Sequence, residues 1–386
     1  MAAGCSRPSG PAERAAEQDR AEGALYGLAI GDALGMPTQS LPREQIVARY
    51  GELIPGFLPG PPGHPLAAGL AAGTITDDTE QALLLAGLVT ESGWPVDPGE
   101  FARRLLCWEA AARARGSLDL LGPSTRRALD DLRAGVPADQ AGRSGTTNGA
   151  AMRIAPVGIA TPAPAMDLLA DRVVQASLPT HNTSVALAGA AAVAAAVSAG
   201  VGGGGVADAI AAGAAAARLG AARGYWVAAA DVAERITWAA GLTAGLAAGR
   251  NPGPPVAPDA GPPVAPDAGP PAIPDAGPPA RPPAYVTAVI DTVYRLVGTS
   301  LATQESVPAA FAVLAAFPGD PWLACRVAAS AGGDCDTIAA MTGAIAGACH
   351  GAAAFPATAR ATVAEVNDLR LGKVAAGLLR LRREAS

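Results

Sequence analysis

The stretch Thr76-Asp77-Asp78-Thr79-Glu80-Gln81-Ala82-Leu83-Leu84-Leu85-Ala86-Gly87-Leu88-Val89 divides into two parts. Hydroxyl and carboxylate side chains open it, and an apolar run follows. From Glu80 to Val89 the apolar residues recur at helical spacing, with Ala and Leu dominating, and nothing alternates with the two-residue period of a half-buried strand. Phe101 to Ala114, Tyr285 to Val297 and Val307 to Ala316 repeat the pattern. Val185 to Ala199 and Ile338 to Ala348 are so rich in small residues that helices built from them could approach closely. The expectation is an all-α fold, a compact multi-helix globule.

Composition agrees with a folded chain. Of 386 residues, 50% are hydrophobic and 16% charged, whereas disorder of the whole chain needs low hydrophobicity and high charge. The formal charge of −6 argues against a nucleic-acid partner. Aromatics make up only 4%, so Ala, Leu, Val and Ile must fill the core. Many of the 35 prolines sit in one place: from Gly253 the chain reads GPPVAPDA, GPPVAPDA, GPPAIPDA, GPPARPPA, ending at Ala284. This period fits neither collagen nor a solenoid. It reads as a solvated, semi-extended insertion over 251–284, with a docking ligand as the sharper alternative. Residues 1–20 read as a disordered tail and 21–386 as one interrupted domain. The five cysteines contain no CxxC pair, against a disulfide framework or zinc site. No apolar signal segment opens the chain. Val185 to Val206 is long enough to cross a membrane, but its Ala, Gly and Val fit a buried helix better. No membrane partner is expected, and the expected location is the cytoplasm.

Two segments place several oxygen donors at a helix start, Thr74 to Glu80 and Gly332-Gly333-Asp334-Cys335-Asp336-Thr337. Helix capping is the plain explanation, since orphan N–H groups and the helix dipole favour anions there, and Asp77 and Glu80 have the spacing of a capping box. A cap needs one acceptor, however, and both segments offer several. Brought together they would repel unless a cation neutralised them. Oxygen donors without histidine or thiolate suit Mg²⁺ or Mn²⁺ better than Zn²⁺. Three further segments are Gly27 to Pro37, whose close glycines suggest a tight approach; Ser144 to Arg153, either an Asn-Gly turn or a phosphate-cradling loop; and Leu178-Pro179-Thr180-His181, ahead of the small-residue helix.

In this order the segments resemble the ADP-ribosylglycohydrolase family, which includes the dinitrogenase reductase-activating glycohydrolases. The likeness rests on GDALGMP (31–37), TDDT (76–79), TNGAAMRIAPVG (147–158), PTH (179–181) and GGDCDTIAAMTGAIAGA (332–348), and runs from about Ala24 to the C-terminus outside the repeat. Residues 121–125 and 303–308 look like a bacterial subgroup. The resemblance implies an all-α fold with a binuclear Mg²⁺ or Mn²⁺ cleft. It also implies hydrolysis at the anomeric carbon of an ADP-ribosyl group, on a protein or a small ribosyl compound. Carried over by position, the metal ligands would be Thr76, Asp77, Asp78, Asp334, Asp336 and Thr337, with Asp78 or Asp336 as proton acceptor. Asp32 and Gln39, the loop Gly145-Thr146-Thr147-Asn148-Gly149 and His181 would face the substrate, the loop holding its diphosphate.

This chain departs from the family at Cys335, in place of a threonine that is not a ligand, and at Gln39, where many relatives carry glutamate. Gln39 motivates a second reading, a module that binds ADP-ribose or a nucleotide with little turnover. A metal-dependent phosphohydrolase fits an acidic helical site too, but only His64, His181 and His350 are present to serve one.

Overall fold

In the computed structural model, residues 10–117, 121–247 and 282–385 are described, and among them there is no β-strand, only two isolated bridges, Thr147 with Ala302 and Thr183 with Tyr225. Four helices position the site: α1 (Pro11–Gly35), α2 (Asp77–Ser92), α3 (Ser184–Val201) and α4 (Cys335–His350). One apolar cluster runs from Ala21 to Leu381.

Helices α1 and α4 are in backbone contact along their length, and the sequence shows why. Gly23, Gly27, Gly31 and Gly35 recur every four residues and so share one face of α1. A Cβ on Gly23 would collide with the Gly347 carbonyl, one on Gly27 with that of Gly343, one on Gly31 with that of Ala339, and one on Gly35 with the Asp336 Cα. Glycine costs about 1 kcal/mol against alanine inside a helix, which dense packing here must offset. The last rung fixes where the N-terminus of α4 stands against the end of α1.

Helix α3 is the apolar segment weighed above. It is long and apolar enough to cross a membrane, with mean hydropathy 1.9, yet 89% of it is buried inside the fold. Thr183 caps it, its hydroxyl accepting from Ala186 N at 3.3 Å. The expected helices at 80–89, 101–114, 285–297 and 307–316 all form, the third finishing in a wider π turn at Val293–Val297.

Two boundaries differ from expectation. Helix α1 starts at Pro11, so residues 11–20 are folded rather than tail; residues 1–9 lie outside the described part. Arg20 Nε donates to Val201 O at 2.9 Å, Gln18 donates to Gly372 O at 3.2 Å, and Glu17 pairs with Arg382 at 3.3 Å. Those partners are more than 180 residues away, which is why a polar segment looked solvated. The insertion read at 251–284 lies almost wholly outside the described residues, and its last residue, Ala284, begins the helix Ala284–Thr292. That helix packs against Val232–Ala247, the helix that precedes the repeat.

Candidate active site

Asp32, one turn before the end of α1, is fully buried. Its carboxylate accepts from Thr76 N at 3.0 Å, Thr76 Oγ1 at 2.8 Å, Thr79 N at 3.1 Å and Thr79 Oγ1 at 2.5 Å. The first turn of α2 is thus wrapped round an acid from another helix. Burial pushes Asp32 up to about 6, against the opposing pull of those hydrogen bonds. Both oxygens of Asp32, a residue expected to face the substrate, are taken up by these hydrogen bonds, and the residue holds the Thr76–Thr79 turn. Because Thr76 gives its hydroxyl proton to Asp32, its oxygen is left with lone pairs only; one accepts from Asp78 N at 3.4 Å. Thr76 is the helix cap, and Glu80 does not complete a capping box. Glu80 instead accepts from Trp108 Nε1 at 2.5 Å and from Arg115 at 3.1 Å.

The second acidic segment meets the first. Thr337 Oγ1 donates to Asp78 Oδ1 at 3.2 Å, joining residues 259 apart in sequence. Asp78 is 1% exposed, and its Oδ2 has no hydrogen-bond partner among the described residues. Burial above all, then repulsion from Asp336, Asp32, Asp77 and Asp334, holds its carboxyl well above the usual range. Asp336 is buried, and Asp334, half-buried, is pushed up to about 6 by burial against hydrogen bonds from Asn148 and Thr337. Gly332 and Gly333, at φ +88° and +67°, occupy the left-handed region that glycine adopts without strain. They turn the chain so that Asp334 N reaches Thr299 O at 2.7 Å. Among the described residues, no three His, Cys, Asp or Glu side chains form a ready-made metal cage.

Gln39 is brought beside this loop by backbone pairing: Ser40 N donates to Gly333 O at 2.7 Å and Gly333 N to Leu41 O at 2.9 Å. His64 Nδ1 accepts from Leu66 N and Ala67 N, so its Nε2–H donates to Gln39 O at 2.9 Å. Cys335 is buried against the Thr38 hydroxyl at 3.2 Å, consistent with its expected place off the donor set.

The loop 145–149, far from Gln39's segment in sequence, is tied to the same acidic segment through Asp334. Asn148 Nδ2 donates to Asp334 Oδ2 at 2.5 Å and to Ser306 Oγ at 3.0 Å. Thr183 Oγ1 donates to Gly145 O at 2.6 Å, and Thr303 Oγ1 to Thr146 O at 2.9 Å. His181 differs from expectation. It is fully buried behind the loop, with Nε2 3.0 Å from Thr147 Oγ1 and Nδ1 2.9 Å from Thr180 Oγ1, and its ring fills the space beside Gly149. Burial, and then Arg153, keep it neutral by lowering its pKa well below the usual value. Both ring nitrogens are thus engaged with threonines of the loop and of its own segment.

Sequence reasoning missed Gln81 and Arg153. Gln81 Nε2 donates to Asp77 Oδ2 at 2.8 Å, an i,i+4 pair that spacing alone could have flagged. Arg153 lay within a quoted motif, but nothing in sequence tied it to residues 72 positions away. A cavity of about 170 Å³ opens beside the acids, lined by Thr74, Thr76, Asp77, Glu80, Trp108 and Arg115 among others.

An all-α body with two oxygen-rich helix starts against one another defines the class. A sequence profile described as ADP-ribosylglycohydrolase matches residues 13–386, and the chain belongs to that family. It is 32% identical to YegU, an uncharacterised protein of Escherichia coli K12, over 95% of this chain and 98% of that one. Shorter similarities reach an ADP-ribosylarginine hydrolase of Pseudomonas putida, 37% identical over 36% of each chain. The ADP-ribosyl-[dinitrogen reductase] glycohydrolase of Rhodospirillum rubrum is 32% identical over 42% of this chain and 52% of that one. A solved structure titled ADP-ribosylglycohydrolase-related protein complex shares the fold, with TM-score 0.60 at 24% identity, covering 95% of this chain and 99% of that chain.

Proposed function

We propose that this protein is a divalent-metal-dependent glycohydrolase that cleaves the bond at the anomeric carbon of an ADP-ribosyl group carried by a protein or a small molecule in the cytoplasm. The observation that carries this reading is the meeting of the two acidic helix starts, with a buried Asp78 oxygen that has no hydrogen-bond partner among the described residues. The chemistry of the donors suits two Mg²⁺ or Mn²⁺ ions: Asp77, Asp78, Asp334 and Asp336 would supply carboxylates, and Thr76 and Thr337 hydroxyl oxygens, the Thr76 proton being already given to Asp32. When bound, such ions would cancel the repulsion among these acids and lower the pKa of water in the site.

The chain's own residues do the rest. Asp78 or Asp336 accepts the proton of the attacking water as its oxygen bonds to the anomeric carbon and the leaving group departs with the bonding pair. The loop 145–149 holds the diphosphate through its backbone and hydroxyls, and Asn148 sets its distance from Asp334. Named relatives matched over about half their length or less support the ADP-ribosyl substrate class. The test is release of ADP-ribose from modified proteins and small ADP-ribosyl compounds with and without Mg²⁺ or Mn²⁺. Asp77→Ala and Asp336→Ala should each abolish it, and activity indifferent to both and to chelation would overturn the proposal. Gln39, which can neither ionise nor take a proton, favours a second reading as an ADP-ribose-binding module; tight calorimetric binding with no product after long incubation would establish it.

A further inference from the structure

A fully buried guanidinium with no direct carboxylate partner is costly, so its hydrogen bonds show what retains it. Arg153 is 0% exposed. Its Nη1 donates to Gln81 Oε1 at 2.9 Å, and Gln81 in turn donates to Asp77 Oδ2 at 2.8 Å. Its Nη2 donates to Thr180 Oγ1 at 2.5 Å, which lies 2.9 Å from His181 Nδ1; His181 Nε2 lies 3.0 Å from Thr147 Oγ1. One unbroken chain of hydrogen bonds therefore joins the acidic segment to the loop.

The proton positions along this chain can be deduced. Arginine only donates, so Thr180 Oγ1 accepts from it. The buried Thr180 hydroxyl has one proton to place, and among the described residues its remaining partner is His181 Nδ1. Nδ1 therefore accepts, Nε2 carries the hydrogen, and Thr147 Oγ1 accepts from it. That leaves the proton of the half-buried Thr147 hydroxyl without a side-chain acceptor among the described residues. We propose that Arg153 is a positioning residue that orients Asp77 through Gln81 and, through Thr180 and the His181 tautomer, makes Thr147 a hydrogen-bond donor for an anionic group of the ligand. This deepens the hydrolase reading and rests on its assignment of Asp77 to cation binding and of the loop to the diphosphate.

The experiment is calorimetry of the full-length protein with Mn²⁺ alone and with ADP-ribose at saturating Mn²⁺, combined with ¹⁵N NMR of the His181 ring. Wild type should show a neutral imidazole protonated at Nε2. Arg153→Met should weaken both ligands by about tenfold or more, and lose the fixed tautomer. Should Arg153→Met fail to fold, the two branches separate the claim: Gln81→Met should weaken Mn²⁺ and leave the His181 signature intact, while Thr147→Val should weaken ADP-ribose and leave Mn²⁺ binding unchanged. A protonated Nδ1 in wild type, or branch variants that bind both ligands as wild type does, would overturn the proposal. Wild type that binds both ligands with these signatures yet releases no ADP-ribose would defeat the hydrolase reading and leave this one standing.

Discussion

The contact between α1 and α4 makes a quantitative prediction from a single methyl group. In Gly31→Ala the new Cβ meets the Ala339 carbonyl, with the Ala340 nitrogen only 2.8 Å away. These are backbone atoms of a buried helix and cannot rotate aside, so the helices must part. Overpacking of this kind costs about 1–3 kcal/mol, partly offset by about 1 kcal/mol of better helix propensity. Gly87→Ala in α2 is the matched control. Its Cβ would meet only the Glu91 carboxylate at 3.6 Å and Arg104 at 3.9 Å, ordinary contacts with side chains that can move. There the propensity gain should dominate, stabilising the protein by about 0.5–1 kcal/mol. Urea unfolding of the two variants beside wild type should therefore give shifts of opposite sign. Separation of α1 from α4 also moves the N-terminus of α4, so Gly31→Ala should weaken Mn²⁺ binding and Gly87→Ala should not. Equal stability of the two variants would show that the helices tolerate a wider spacing, and would remove the argument that the glycines set the site.

Three other outcomes follow from the same geometry. Asp32→Asn leaves at least one buried donor of Thr76 or Thr79 facing an amide, which loosens the turn and should weaken Mn²⁺ binding; unchanged Mn²⁺ affinity would mean the turn does not depend on Asp32. Asp32 has a folded-state pKa of about 6, above the ordinary 3.8, so its protonated form is favoured by folding: the associated stability is full below about pH 3.8 and lost as pH rises through 6, a difference of about 3 kcal/mol. Buried His181, held neutral, works in the opposite direction over the same window, so the Asp32 contribution is read as the difference between metal-free wild type and Asp32→Asn: wild type should gain urea resistance relative to the variant from pH 7 to pH 5, and an unchanged difference would contradict the buried acid. Gln39→Glu places a carboxylate on the segment paired with Gly333 and should raise ADP-ribose release if a missing proton acceptor limits turnover; an unaltered rate would remove Gln39 from the chemistry.

The helical class, the acidic helix starts and the motif order were legible because each is local: spacing reveals periodicity, and a run such as TDDT or DCDT announces its donors. The roles of Asp32 and His181 were not legible. Both are polar residues in segments that suggested ligand contact, and both prove to be internal supports, because their partners Thr76, Thr79, Thr147 and Thr180 are satisfied only in three dimensions. The polar start of α1 misled for the same reason, since its anchors are Val201, Gly372 and Arg382.

By itself, then, the chain's order of residues determined an all-α protein with two oxygen-rich helix starts and a family likeness. Only tertiary structure decided that these starts meet, through a glycine face on α1 that lets α4 lie against its backbone. It also decided which polar groups spend their hydrogen bonds inward. The physical reason is that periodicity is written over a few neighbouring residues. Convergence of like charges and satisfaction of buried donors depend on contacts between residues tens to hundreds of positions apart.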